Sequence, residues 1–395
     1  MLKSTFAAGE TIAEARTGLG RWLALVWLMI ALHLLPVARS RAQNHADYRY
    51  ELYKEESGRI QVQSHAVLGE VEAAQWLSLK AQFVYDSISG ATPTGAPPLA
   101  GQNKVPTVEI DDRRYAGSFE AGMKYRNVTI RPQVAYSEES DYRSFSLALN
   151  GSVDLNQKNT TLQLGVAHNF DEVLPTEGTF LYTTEDKDTT DFLVGITQLL
   201  GPKMVLTANF TYGMGHGYFT DPYKGVHFDG ADFEDSIEGE RRPDTRDKEI
   251  VYLALTRYFE PVRGSAEVSY RFYHDTFGIT ANTFGAAWYQ KLGEKVVLSP
   301  SFRFYQQSEA DFYGVTFPGS SGQAGDGAPK YYSSDYRLSE LHAFTYGLSL
   351  TWRVHEHVSL DVAYKRYEMI GDDGQTSSDA YPSANVISAG FRLWF

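Results

Sequence analysis

The 395-residue chain has no cysteine. That absence excludes disulfides, iron–sulfur clusters, zinc–thiolate centres and any redox chemistry carried by thiols. A basic surplus is missing too. Forty-nine acids against 36 Lys and Arg leave a formal charge of −13, the wrong sign for a chain that neutralises nucleic-acid phosphates. Nor does the chain offer an apolar run of membrane-helix length: Trp22 to Leu35 has 14 residues, where a spanning helix needs about 20. Arg16 and Arg21 precede that run, and Ser40, Arg41 and Ala42 place small residues three and one before a cut. Residues 1–42 therefore read as a cleavable secretory signal, and residues 43–395 as one mature domain.

Aromatic residues are what the chain has in excess. Twenty-six Tyr and 22 Phe bring aromatics to 14%, while the mean hydropathy of −0.34 is too low for a bundle of membrane helices. A β-barrel with aromatic girdles and a polar interior reconciles the two.

Periodicity agrees. In NVTIRPQVAY, Val128, Ile130, Pro132, Val134 and Tyr136 alternate with Thr129, Arg131, Gln133 and Ala135. Met204 to Tyr212, Val358 to Tyr364 and Ile387 to Phe395 repeat the pattern. Sixteen such segments can be counted, from 47–56 to 383–395, an even number as single-chain bacterial barrels require. Short connections alternate with long ones at 89–111, 172–189, 215–246 and 310–336. The expectation is a sixteen-stranded antiparallel transmembrane barrel in the outer membrane of a Gram-negative bacterium, with both termini on the periplasmic side. A soluble sandwich shares the periodicity. The aromatic end of the last strand resembles the segment by which the barrel-assembly machinery recognises its clients, which implies that machinery and outer-membrane lipid as partners.

Taken in chain order, YELYKEESGRI, DSISGATPTG, NTTLQLGVAHNFDEV, DPYK, RRPDTR, YRFYHDTFGI, WYQKLG, SEADFY and SSDYRLS resemble the family called domain of unknown function 3570. The resemblance runs from about residue 47 onward and implies an outer-membrane barrel without naming an activity.

One stretch carries a second resemblance. Asp86, Ser87, Ile88, Ser89, Gly90, Ala91 and Thr92 are similar to the signal, an acid followed by Ser/Thr-Gly-Ala-Thr, at which a periplasmic flavin transferase joins FMN through a phosphodiester to the final threonine. It implies Thr92 as the attachment point and Asp86, Ser89, Gly90 and Ala91 as recognition elements, with a periplasmic redox partner. The same residues before Pro93 are also ordinary turn chemistry. Strand phase sets Leu77, Leu79, Ala81, Phe83 and Tyr85 toward lipid and Ser78, Lys80, Gln82 and Asp86 inward, so the connection leaves from the lumen side. Its continuation, APPLAGQNKVPTVEI, has the composition of a constriction or plug.

Lys80, Arg131, Glu267, Arg271, Arg303, Asp361, Lys365 and Arg392 fall at inward positions, a mixed-sign set that either lines a conduit or closes it by mutual pairing. Tyr223, Lys224, Asp335 and Arg337 read as anchors between loops over the mouth. His355 and His357 read as a solvated turn rather than a metal pair, and the acidic run Asp232 to Glu240 lacks the ligand spacing of a calcium loop. No hydrolase elbow, phosphate loop, zinc-protease motif or dinucleotide fingerprint occurs, so an enzyme is not the expectation. Three functions remain: a redox-associated barrel with FMN on Thr92, moving electrons or a small molecule across the membrane; a flavin-free diffusion or transport channel; and a mainly structural or rim-active barrel.

Overall fold

Strand alternation decides which side chains meet lipid and which meet the lumen. The structure, a computed structural model, describes residues 44–98, 104–229, 237–322 and 325–395; the proposed signal lies outside them. In chain order the strands are β1 (His45–Glu55), β2 (Gln61–Ala74), β3 (Leu77–Pro93), β4 (Thr107–Tyr125), β5 (Val128–Glu138), β6 (Tyr142–Leu155), β7 (Thr160–Val173), β8 (Glu185–Gly201), β9 (Met204–Gly217), β10 (Gly225–Phe228), β11 (Ile237–Gly239), β12 (Thr245–Phe259), β13 (Gly264–Asp275), β14 (Thr280–Leu292), β15 (Val296–Gln307), β16 (Thr316–Phe317), β17 (Leu341–His355), β18 (Val358–Gly371) and β19 (Ser383–Trp394). Sixteen of them form a closed antiparallel barrel. β1 seals it against β19, in register from His45↔Trp394 to Glu55↔Ala384, so the barrel has no free edge. β10, β11 and β16 make a separate small sheet in the order β11-β10-β16.

The outer surface is apolar. Ile130, Val134 and Tyr136 on β5, Val362 and Tyr364 on β18, and Ile387, Phe391 and Leu393 on β19 are all exposed. In water such a band would drive aggregation; in a bilayer it is the lipid contact. Trp76, Tyr125, Tyr258, Tyr289 and Trp352 ring the short-turn end, and Tyr115, Tyr136, Phe145 and Phe170 ring the long-loop end. These are the two aromatic girdles of an outer-membrane barrel. Among the described residues no helix is long and apolar enough to cross a membrane.

The first long connection differs from expectation. Ser89 to Pro93 continue β3, and Thr107 to Asp111 already belong to β4, paired from Ser89↔Asp111 to Pro93↔Thr107. The loop shrinks to 94–106. Here the hairpin projects beyond the girdle, and its outward positions carry exposed Thr107, Glu109, Asp111 and Arg113. Polar Thr107, Glu109 and Asp111 face out and Val108 and Ile110 face in, the reverse of the lipid-facing phase, so the segment does not mark itself as a membrane strand. The loop at 172–189 shrinks to 174–184 because β8 begins with EDKDTTD, polar on both faces.

The apolar core lies outside the membrane-spanning wall. Val226, Phe228, Phe317 and Tyr332 form one buried cluster around the small sheet. Phe277, Ile279, Ala310, Phe312 and Leu338 form a second, and Val105, Tyr336, Leu341, Ala380 and Tyr381 a third. All three gather residues from the long-loop end. The loops are thus folded together into a cap over the extracellular mouth.

Candidate functional site

The cap is pinned by a buried ionic knot. In DPYK, Pro222 follows Asp221 in a tight turn closed by the Lys224 N–H donating to the Asp221 carbonyl at 3.1 Å, and the Tyr223 N–H donates to Asp221 Oδ1 at 2.9 Å. The turn drives Lys224 inward until it is 1% exposed. Its ammonium donates to Thr92 Oγ1 at 3.2 Å and to the Pro93 carbonyl, tying this loop to the end of β3. Tyr223 reaches the other way, its hydroxyl donating to Asp141 Oδ2 at 2.7 Å.

Asp335, also 1% exposed, stands at the centre. Arg242 lies 2.8 Å from its carboxylate, and Arg337 grips it with Nε at 2.9 Å and Nη2 at 2.6 Å. Arg337 also pairs with Asp221, and Arg242 with Glu240 at 2.6 Å. Ser333 donates its hydroxyl to Glu240. Three carboxylates thus face three cations drawn from two loops, 218–244 and 308–340.

Burial raises the Asp335 carboxyl, but Arg337 and Arg242 outweigh it and hold the group far below the usual carboxylate range. Asp221 is likewise lowered, the cations Arg337 and Lys224 overcoming burial. Glu240 goes the other way: burial pushes it up to about 7 although Arg242 opposes the rise. Burial also lowers Lys224, against the pull of Asp335. One member of the knot therefore titrates near neutrality while its neighbour Asp335 stays ionised.

The expected loop anchors Tyr223, Lys224, Asp335 and Arg337 all sit in this network. Sequence reasoning passed over Asp221, Glu240 and Arg242. Glu240 was absorbed into an acidic run of which residues 232–236 lie outside the described residues, and Arg242 was seen only within RRPDTR. For Asp221 and Asp335 the usable signal was a single charge embedded among Pro, Tyr and Ser; Glu240 and Arg242 sit in the charged run Glu240-Arg241-Arg242 and carried none.

Of the flavin-like motif, Asp86 faces inward, 6% exposed, and accepts from Arg114 Nη1 at 3.3 Å. Ser89, Gly90, Ala91 and Thr92 lie in the β3–β4 ladder. Gly90 has a local reason to be glycine: its φ is +119° and a Cβ would stand 2.4 Å from the Arg59 carbonyl oxygen. Of the plug-like continuation, residues 99–103 lie outside the described residues; Ala96 and Val105 are buried in the cap, and the Gly225 N–H donates to the Thr94 carbonyl at 2.7 Å.

Nearby, Asp112, Glu139 and Asp141 bring carboxylate oxygens within 4.8 Å of one another. Each is already engaged. The Ser140 N–H donates to Asp112 at 3.2 Å, Arg114 lies 3.7 Å from Glu139, and Tyr223 holds Asp141. Burial, with Asp141 adding to it, lifts Glu139 to about 7.

Below the cap the inward wall is wet and charged. Arg392 forks onto Asp47 with both contacts at 2.6 Å, and Asp361 pairs with Arg49 at 3.3 Å. Arg131 lies 3.9 Å from Glu120, Glu267 accepts from Thr256 at 3.4 Å, and Lys80 stands in register between Glu70 and Glu120. Arg303 sits 5.3 Å over the Tyr305 ring, Arg271 is in register with Tyr252 and Thr283, and Lys365 with Gly347. A cavity of about 740 Å³ opens at the short-turn end, with Asp47, Arg49, Arg353, Asp361 and Arg392 in its lining. His355 and His357 lie at the turn after β17, their rings 5.6 Å apart and His357 well exposed.

No curated protein is matched by the sequence. Among solved structures, the siderophore receptor PirA from Pseudomonas aeruginosa aligns at 11% identity and TM-score 0.44, covering 89% of this chain and 62% of the receptor. CdiB from Acinetobacter baumannii aligns at 8% identity and TM-score 0.49, covering 89% and 60%. OccK2 (OpdF) from Pseudomonas aeruginosa, solved in complex with glucuronate, aligns at 9% and 0.44, covering 89% and 98%. The chain thus spans about three-fifths of the first two and nearly the whole of the third. The model of the family described as "Protein of unknown function (DUF3570)" matches residues 27–391, and the chain belongs to that family.

Proposed function

We propose that this outer-membrane barrel is a porin-like passage for small polar solutes, closed on the outside by the folded cap and opened when the ionic knot parts. One observation carries the reading: inward positions of a single strand pass from buried to exposed. On β17, Leu341 and Ala343 are each 1% exposed beneath the cap, whereas Thr351 and Arg353 are exposed at the short-turn end. A wall that only held lipid apart would not need a polar, solvated inner face ending in a chamber. Conductance across planar bilayers tests it. The full chain should open rarely, and Asp335→Asn, which weakens the hold on Arg242 and Arg337, should raise the open fraction several-fold. A bilayer that stays silent with both proteins would sink the passage.

The redox reading keeps one supporting contact. The Lys224 ammonium stands 3.2 Å from the Thr92 hydroxyl, where it would neutralise a phosphodiester. In the folded barrel that hydroxyl already accepts from Lys224, so attachment of FMN would have to precede folding. Coexpression with an envelope flavin transferase decides the matter. A fluorescent band on a denaturing gel that vanishes in Thr92→Ala supports the cofactor and the electron-carrying role, and a dark wild-type band removes both.

A further inference from the structure

The inner wall treats its charges differently on its two sides. From β3 to β12 four inward cations have carboxylate partners, Arg114 with Asp86 at 3.3 Å, Arg131 with Glu120 at 3.9 Å, Lys187 with Asp171 at 3.5 Å and Lys248 with Asp191 at 2.9 Å, and Lys80 stands in register between Glu70 and Glu120. From β13 to β18 the pattern breaks. Arg271, Arg303 and Lys365 are exposed to the lumen, and among the described residues none has a carboxylate within 4 Å.

Register places the three on one patch. Arg271 lies opposite Thr283 of β14, which lies opposite Tyr305 of β15, two residues beyond Arg303. Gly347 of β17 lies between Ser301 of β15 and Lys365 of β18. The floor between the cations is small and hydroxylated, made by Ser269, Thr283, Gly285, Ser301, Thr345 and Gly347. Glycine at 285 and 347 is functional in a simple sense: a Cβ would meet the Ser269 hydroxyl at 2.5 Å or the Ser301 hydroxyl at 2.4 Å. Of the acids along these strands, Asp275 is paired with Arg246 at 2.5 Å and Asp361 with Arg49, while Glu267 accepts from the Thr256 hydroxyl and remains one negative group against the three cations. Three free cations over a low polar floor, inside a chain of net charge −13, form a local field that attracts anions and excludes cations.

We infer that this patch is an anion station, built for a small solute carrying two or more carboxylate or phosphate groups. The two guanidinium groups offer forked donors, the ammonium a point charge, and the Ser and Thr hydroxyls complete the shell. The inference rests on the passage reading and names the solute class that the passage would carry.

Two measurements separate the station from the passage. Succinate and inorganic phosphate, titrated separately into the detergent-solubilised full chain, test binding without flux. Wild type should bind at least one, with at least about tenfold loss in Arg271→Gln/Arg303→Gln/Lys365→Gln. If neither probe binds, or the triple variant binds equally well, the station is overturned. Heat-modifiable gel mobility reports whether the variant barrel is folded; should it not be, Arg303→Gln alone replaces it, with about threefold loss expected. The zero-current potential in a salt gradient then reads selectivity. A preference for anions that turns toward cations in the variant supports the station. An open pore with unchanged selectivity overturns it and leaves the passage standing, and a pore closed in every protein removes the passage while the titration still decides the station.

Discussion

Charged side chains face inward at both ends of this barrel, and the two ends use them in opposite ways. Under the cap, Asp335 and the Glu240 side chain are essentially inaccessible and sit among arginines drawn from two loops. On the mid-wall, Arg131 and Glu120 lie 3.9 Å apart with side chains 40% and 24% exposed. Around Asp335, Glu240 and Arg242 the first arrangement has lost its water, while Arg337 reaches solvent, so removing Asp335 leaves the buried Arg242 guanidinium under-compensated. The second keeps its water, so little depends on any one contact. Similar pairs therefore fasten the cap and leave the lumen wall solvated.

The largest expected effect follows from breaking the buried set. Asp335→Ala leaves Arg242 with Glu240 alone and Arg337 with Asp221 alone, and should cost the cap roughly 3 kcal/mol, seen as protease cleavage within 218–244 while the barrel keeps its heat-modifiable mobility. If that region stays as protected as in wild type, the knot is not what holds the cap.

A pH dependence is next in size. The Glu240 carboxyl is raised in the fold from an ordinary 4.5 to about 7, with burial as the leading cause. The folded state then holds a proton that the unfolded state has already released. Cap stability should fall as pH rises from about 4.5 through about 7, and Glu139 adds to the same trend. Urea-induced exposure of the cap, measured at fixed pH values, should lose part of that slope in Glu240→Gln. Asp335, lowered in the fold, acts with the opposite sign and only at acid pH, where stability falls as the group protonates. An unaltered slope in Glu240→Gln would place the titration elsewhere.

The smallest effect is expected on the wall. Arg131→Ala should change thermal stability by about 1 kcal/mol or less, since its partner Glu120 remains solvated. A loss as large as that of Asp335→Ala would mean that the wall is packed as dry as the cap.

Much of the wall could be read from alternation, because lipid on one side and water on the other impose a period of two on β5, β9, β18 and β19. The signal failed where a hairpin leaves the bilayer and its outward face turns polar, and so Ser89 to Pro93 and Thr107 to Asp111 looked like loop. The cap was legible only in fragments. DPYK and SSDYRLS stood out as anchors, yet nothing local says that Asp221, Arg242 and Asp335 converge. Their partners lie 93 to 116 positions away in sequence, and only the closed barrel brings the loops together.

Since the chain has no cysteine, thiol labelling can probe the inner wall without background. Thr351→Cys and Ala343→Cys place single thiols eight residues apart on the inward face of β17, below and beneath the cap respectively. A charged maleimide added to the full chain in liposomes or detergent should modify Thr351→Cys rapidly and leave Ala343→Cys unreacted until the cap is loosened by Asp335→Ala. Equal labelling of both thiols in the intact barrel, or protection of both, would contradict a wet lumen closed by a dry cap.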